Sequence, residues 1–247
     1  MKDFINTTSK KLMEKDLKEV VPDLDKIRFY DDTKIVEYLM KYIREDDIPN
    51  NILLYHLSRR LKDSSDDAYN LVDLLTKENT VRDFLFAEGL TFQKDSSKIK
   101  VYYNNEEVIF DTQGTNCLLL ENRFSIDTCI NGFIINGKFD NYDHLEDGPE
   151  FMVKLIEYMK EKNIFQDESI LEKYKSQSEY YCYIYKVPIK IIEIDGINKE
   201  YLEKVPLKYK ILQLIISDSS TIIRLPDEFN LSKDYLIHKY KIKDIQL

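Results

Sequence analysis

Apolar residues recur at helical spacing in some stretches and cluster as strands in others, and the change of period divides the chain. Ile35, Val36, Leu39, Met40 and Ile43 fall on one face of a helix over about 33–44, which Asp32 or Thr33 can cap and Asp46, Asp47 and Pro49 end. The apolar run 52–57 is compatible with a buried strand or with the start of a helix continuing to Leu61, because so few residues do not separate the two periods. Ala68, Leu71, Val72, Leu74 and Leu75 predict a helix over 66–77. Thr80 with Asp83 then imitates a capping box before a second helix that stops at Gly89.

Beyond Gly89 the pattern turns to strands. Five of the six glycines (Gly89, Gly114, Gly132, Gly137 and Gly148) lie in this central stretch, which predicts short strands joined by turns there and a mainly helical 1–88. Segments 98–103 and 108–110 flank Asn104-Asn105 and read as a hairpin, and 130–135 is a further strand. Pro149 opens a helix whose Phe151, Met152, Leu155, Ile156, Tyr158 and Met159 share a face, ending near Asn163. A helix over 167–176 follows. Segment 180–194 reads as a strand pair broken near Pro188, and 208–217 as a helix with some strand character. The closing stretch gives weak signals.

These elements predict an α+β protein, a helical N-terminal part packed on a mostly antiparallel central sheet. Residues 1–164 form the main α+β domain (helical 1–88, strand-rich 89–148, helix 149–163). Residues 165–247 are either a small C-terminal α+β subdomain or a continuation of the same domain. The absence of regular strand–helix alternation counts against a doubly wound or barrel fold.

Composition narrows the function. With 43% apolar and 33% charged residues the chain is globular, and no stretch approaches the roughly 18–20 apolar residues of a membrane span. Met1 is followed by Lys2, Asp3 and a polar run, unlike a secretion signal, so a cytoplasmic location is expected. Cys117, Cys129 and Cys182 match no metal-ligand spacing and read as reduced thiols. The 45 acids against 36 bases repel nucleic-acid phosphates, and the whole excess precedes residue 188. Such a surface keeps the chain soluble or suits a basic partner.

No phosphate-binding glycine loop, G-x-S-x-G elbow, H-E-x-x-H pair or paired Cys-x-x-Cys is present. The polar residues of 127–150, His144 among them, read as a solvated loop rather than a Ca²⁺ loop. His56 interrupts an apolar run in Leu54-Tyr55-His56-Leu57-Ser58-Arg59. If buried, it needs a hydrogen-bond partner, and it reads either as a substrate-holding imidazole or as a structural histidine with one backbone bond. Arg59 and Arg60 suit an anion or a solvated surface.

The run 54–58, the helix containing Asn70-Leu71 and the stop at Gly89 resemble the opening of ADP-ribosyltransferases of the His-Tyr-Glu kind, over 53–89 only. The resemblance implies an NAD-using transferase acting on a protein or small molecule. His56 would hold the adenine-side ribose, Arg123 would contact NAD, and Tyr102, Tyr103 or Tyr142 would stack on nicotinamide. Glu150 or Glu193 would be the catalytic glutamate. Glu150 also has a plain explanation as a carboxylate in the first turn of a helix, and Glu193 as the exposed side of an edge strand.

A reading of a different class rests on the acidic balance and on eighteen tyrosines, clustered at Tyr180, Tyr181, Tyr183 and Tyr185. Tyrosine supplies contact area at low entropy cost. An acidic module that masks a basic protein partner, as immunity and antitoxin proteins do, needs no catalytic residues.

Overall fold

In the computed structural model, residues 32–96, 98–110, 115–134, 147–164, 169–194, 205–216 and 222–242 are described. Helices and antiparallel strand pairs alternate irregularly, which makes this an α+β protein. The helices are α1 (Asp32–Tyr42), α2 (Leu71–Thr76), α3 (Thr80–Ala87), α4 (Thr115–Ser125), α5 (Glu150–Glu161), α6 (Ser169–Gln177) and α7 (Leu207–Ile216). The strands are β1 (Asn51–Leu61), β2 (Leu90–Asp95), β3 (Lys98–Tyr103), β4 (Glu106–Glu107), β5 (Asn131–Phe133), β6 (Ser178–Pro188), β7 (Glu193–Ile194), β8 (Ile222–Arg224) and β9 (Leu236–Lys241). One sheet has the order β7-β8-β5-β1-β6-β9 and another β2-β3-β4.

The chain divides into two compact units, neither a continuous stretch: unit 1 comprises 1–56, 131–140 and 184–225, and unit 2 comprises 57–130, 141–183 and 226–247. Strands β1 and β6 contribute residues to both.

In unit 1, Ile35, Val36 and Leu39 bury the face of α1 that its spacing predicts, and α7 packs there with Ile211, Leu212 and Ile215. The Tyr209 hydroxyl donates to the Ile43 carbonyl (2.7 Å), so this buried phenol is satisfied. Gly132 on β5 is required by close approach, since a Cβ there would stand 2.5 Å from Leu54 Cδ1 and 2.9 Å from the Tyr55 carbonyl oxygen.

In unit 2 the hairpin β2–β3–β4 turns at Asn104 and Asn105, both left-handed (φ 49° and 70°), as the Asn-Asn pair predicts. Helices α2 to α6 share its core through Leu75, Leu85, Val101, Leu120, Met152, Leu155 and Tyr174. The buried hydroxyls of Tyr158 and Tyr174 donate to the carbonyls of Ile109 (2.8 Å) and Arg59 (3.0 Å).

Several expectations need correction. Segment 52–57, which its spacing leaves open between strand and helix, is part of a long strand, so residues 32–88 are less helical than expected. The helix expected from Asp66 begins only at Leu71, because Ala68 bridges Leu231 and the Asn70 side chain caps the helix by accepting from the Asp73 N–H (3.0 Å). The cap of α3 is Asn79, one residue before Thr80; it accepts from Val81 and Arg82 N–H. Strands β6 and β7 do not pair with one another. A helix, α4, occupies part of the stretch read as strands and turns.

Candidate functional site

The residues singled out by the resemblance divide between the units. His56 and Glu193 belong to unit 1, Arg123 and Glu150 to unit 2, and Tyr142 lies outside the described residues.

His56 is half-buried on β1, and its Nδ1–H donates to the carbonyl of Asn131 on β5 (2.8 Å). A carbonyl only accepts, so this bond places the proton on Nδ1 and orients the ring, whose centroid is 6.5 Å from that of Tyr185. Strand register decides whether Glu193 can join it. Tyr55 stands opposite Phe133, Asn131 opposite Arg224, and Arg224 opposite Glu193. Residues directly opposite, or two apart along one strand, share a face of the sheet. Tyr55, Phe133, Asn131, Arg224 and Glu193 therefore lie on one face, and His56, next to Tyr55, lies on the other. Glu193 is 61% exposed and faces Arg224, with Nε 4.0 Å from Oε2, a long separation for an ion pair whose carboxylate is in solvent.

In unit 2, Arg123 closes the C-terminal end of α4. Its Nη1 donates to the Asp127 carbonyl (2.6 Å) and pairs with the Asp127 carboxylate (2.9 Å), as suits a cation at the negative end of a helix. Glu150 is the exposed first residue of α5, after Pro149, so the expected first-turn position is the one observed. The adjacent rings of Phe124 and Phe151 meet at 6.5 Å, yet Arg123 turns to Asp127 and Glu150 to solvent. Tyr102 and Tyr103 are half-buried on β3.

The Arg59-Arg60 pair is engaged internally. Arg59 donates to Ser178 Oγ (2.8 Å) and the Lys175 carbonyl (2.9 Å). Arg60 is buried, donates to the carbonyls of Ser65 (3.0 Å) and Asp67 (2.6 Å), and lies 4.0 Å over the Tyr183 ring. In the tyrosine cluster, Tyr180, Tyr183 and Tyr185 are buried, which leaves half-buried Tyr181 bonded to Glu179. That bond, with burial and the Glu179 charge, pushes the Tyr181 phenol up to about 12.

Sequence spacing had no means of finding a polar cluster of unit 2 whose members are 157 to 166 residues apart. Asn230 Oδ1 accepts from the Asn70 N–H (2.8 Å) and side chain (3.0 Å), Asn230 Nδ2 donates to Asp73 (2.6 Å), and the Lys233 N–H donates to Asp67 (2.6 Å). Burial works to raise both carboxyls. The bonds from Lys233, Ser65 and Tyr69 on Asp67, and from Lys77 and Asn230 on Asp73, outweigh it and hold both below the usual carboxylate range.

Among the described residues no three His, Cys, Asp or Glu side chains are grouped to hold a metal ion, and no helix is long and apolar enough to cross a membrane. Charge separates sharply: unit 2 contains 27 acids and 18 bases, unit 1 contains 18 of each, so the whole net charge of -9 belongs to unit 2. No family model, no curated protein and no solved structure matches this chain.

Proposed function

We propose that this chain is a non-catalytic binding module that takes a basic protein partner on the acidic unit 2. The observation that carries the reading is the confinement of the entire net charge to that unit. Its bases are largely committed to internal pairs: Lys77 with Asp73, Lys98 with Glu121, Lys100 with Asp95, Lys173 with Glu88 and Lys175 with Asp147. Glu106, Glu150, Glu161 and Glu172 remain exposed. A field of one sign speeds encounter with a cationic surface and suppresses anionic ligands, a dinucleotide among them. Placement of His56 and Glu193 on opposite sheet faces gives NAD transfer less support than this reading.

The test is capture from the native host on the immobilised full chain over a salt series, beside calorimetry with NAD. A stoichiometric basic protein released by about 0.5 M salt, and lost when Glu150, Glu161 and Glu172 are all changed to Lys, supports the proposal. Saturable NAD heat that disappears in His56→Ala would return the reading to the transferase.

A further inference from the structure

We propose that residues 226–242 form a detachable strap on unit 2, held by polar contacts rather than by burial, whose release uncovers Cys182 and the edge of β6. Leu231 is the one buried residue of this segment, and β9 itself is exposed or half-exposed throughout, with Ile237 52% exposed. A strand of a packed sheet ordinarily buries one face; this one does not.

What holds the strap is the edge pairing of β9 with β6 together with a series of separate polar links. Ala68 and Leu231 exchange backbone hydrogen bonds of 2.7 and 2.8 Å. Asp67 receives the Lys233 N–H and Asp73 the Asn230 amide. Lys239 pairs with Asp66 (2.5 Å), Lys241 with Glu179 (2.8 Å), and the Ile242 N–H donates to the Tyr180 carbonyl (2.9 Å). Tyr240 hydrogen-bonds the Cys182 thiol, which is fully buried. Local opening follows the least buried, most solvent-accessible bonds; the Lys233, Lys239 and Lys241 links are exposed, while the Ala68–Leu231 exchange is the buried anchor that opens last.

The charges around the two carboxylates come from several elements. Asp67 faces Lys233 of the strap, with Tyr69 and Ser65 from its own loop, and Asp73 faces Lys77 of α2, Lys94 of β2 and Asn230 of the strap. Both carboxylates act as acceptors for strap donors and lose acceptor capacity when neutralised. Burial pushes the Cys182 thiol up to about 11, while the bond from Tyr240 of the strap works the other way, so what the closed strap contributes is cover and not a change of thiol acidity. Cys117, buried on α4 within the core of unit 2, is an internal reference that needs a larger opening.

The experiment is alkylation of the full wild-type chain under native conditions, with the rate at each cysteine read by peptide mass. Cys182 is expected to react at least tenfold faster than Cys117. Replacing both Asp67→Asn and Asp73→Asn should accelerate Cys182 a further tenfold while leaving Cys117 unchanged. Should that protein fail to fold, Lys233→Pro isolates one link. Residue 233 opens the short 3-10 turn Lys233–Tyr235 after an extended Ser232 (φ -69°, ψ 157°), so proline fits and removes only the N–H given to Asp67 and the side-chain charge. Equal rates at Cys182 and Cys117, or a Cys182 rate indifferent to these changes, would overturn the strap.

Discussion

Arg60 shows how a residue that reads as surface chemistry becomes structure. Its guanidinium is buried because four groups receive it: the Ser58 hydroxyl, the carbonyls of Ser65 and Asp67, and the face of Tyr183. A planar, delocalised cation is weakly hydrated and can stack and donate at once, which an ammonium cannot do. Arg60→Met keeps the apolar stem but takes the donor from the carbonyls of exposed Ser65 and half-buried Asp67 and the cation from the Tyr183 face. The expected loss is about 2–4 kcal/mol in urea unfolding, with Arg60→Lys recovering only part of it. A loss under about 0.5 kcal/mol would mean that water replaces the guanidinium. His56 is the complementary case. A polar residue in the run 52–57 announces that it needs a partner, and the Asn131 carbonyl answers. That partner is 75 residues away, so the requirement is legible in the sequence and the solution is not.

At the scale of elements, legibility follows locality. α5 stands where its spacing and Pro149 place it, and the β3–β4 turn stands at the Asn pair, because both are decided by neighbouring residues. α4 escapes the same reading because Leu118 and Leu119 are exposed and its apolar positions do not form a clean stripe. α2 is shortened from a distance, by the bridge from Ala68 to Leu231. The same distant segment makes α2 sensitive to acid. Asp73 lies in its first turn, bonded to Lys77 (2.7 Å) and Asn230. A carboxyl held below its unfolded value contributes stability that is complete above about pH 4 and is lost as pH falls through the lowered folded value. Asp73→Asn should therefore be less stable than wild type at pH 7 by about 1 kcal/mol, and the two should converge in denaturant titrations as pH falls through the lowered folded value of Asp73. A difference that persists unchanged into acid would assign the effect to packing.

The whole molecule is organised by returns of the chain. Unit 1 gathers three segments and unit 2 gathers three, so the final third of the sequence supplies α7, β7 and β8 to one and α6 and β9 to the other. Composition alone places the acidic excess before residue 188; only the path of the chain shows that it belongs to unit 2 and that unit 1 is neutral. The sequence expectation of a main domain over 1–164 can be tested directly on that path. A fragment ending at 164 lacks 184–225, so the buried face of α1 at Ile35, Val36 and Leu39 loses α7. In unit 2 the same cut removes Tyr174, fully buried against Phe84 with ring centroids 5.3 Å apart, together with the strap. Removing a large buried ring alone costs about 3–5 kcal/mol, a large share of the roughly 5–15 kcal/mol by which a domain is stable. The 1–164 fragment should accordingly show no cooperative endotherm in calorimetry, while the full chain does. A sharp transition in the fragment would mean that the N-terminal helices and the β2–β3–β4 hairpin fold without the returning segments, and that the early boundary is the physical one.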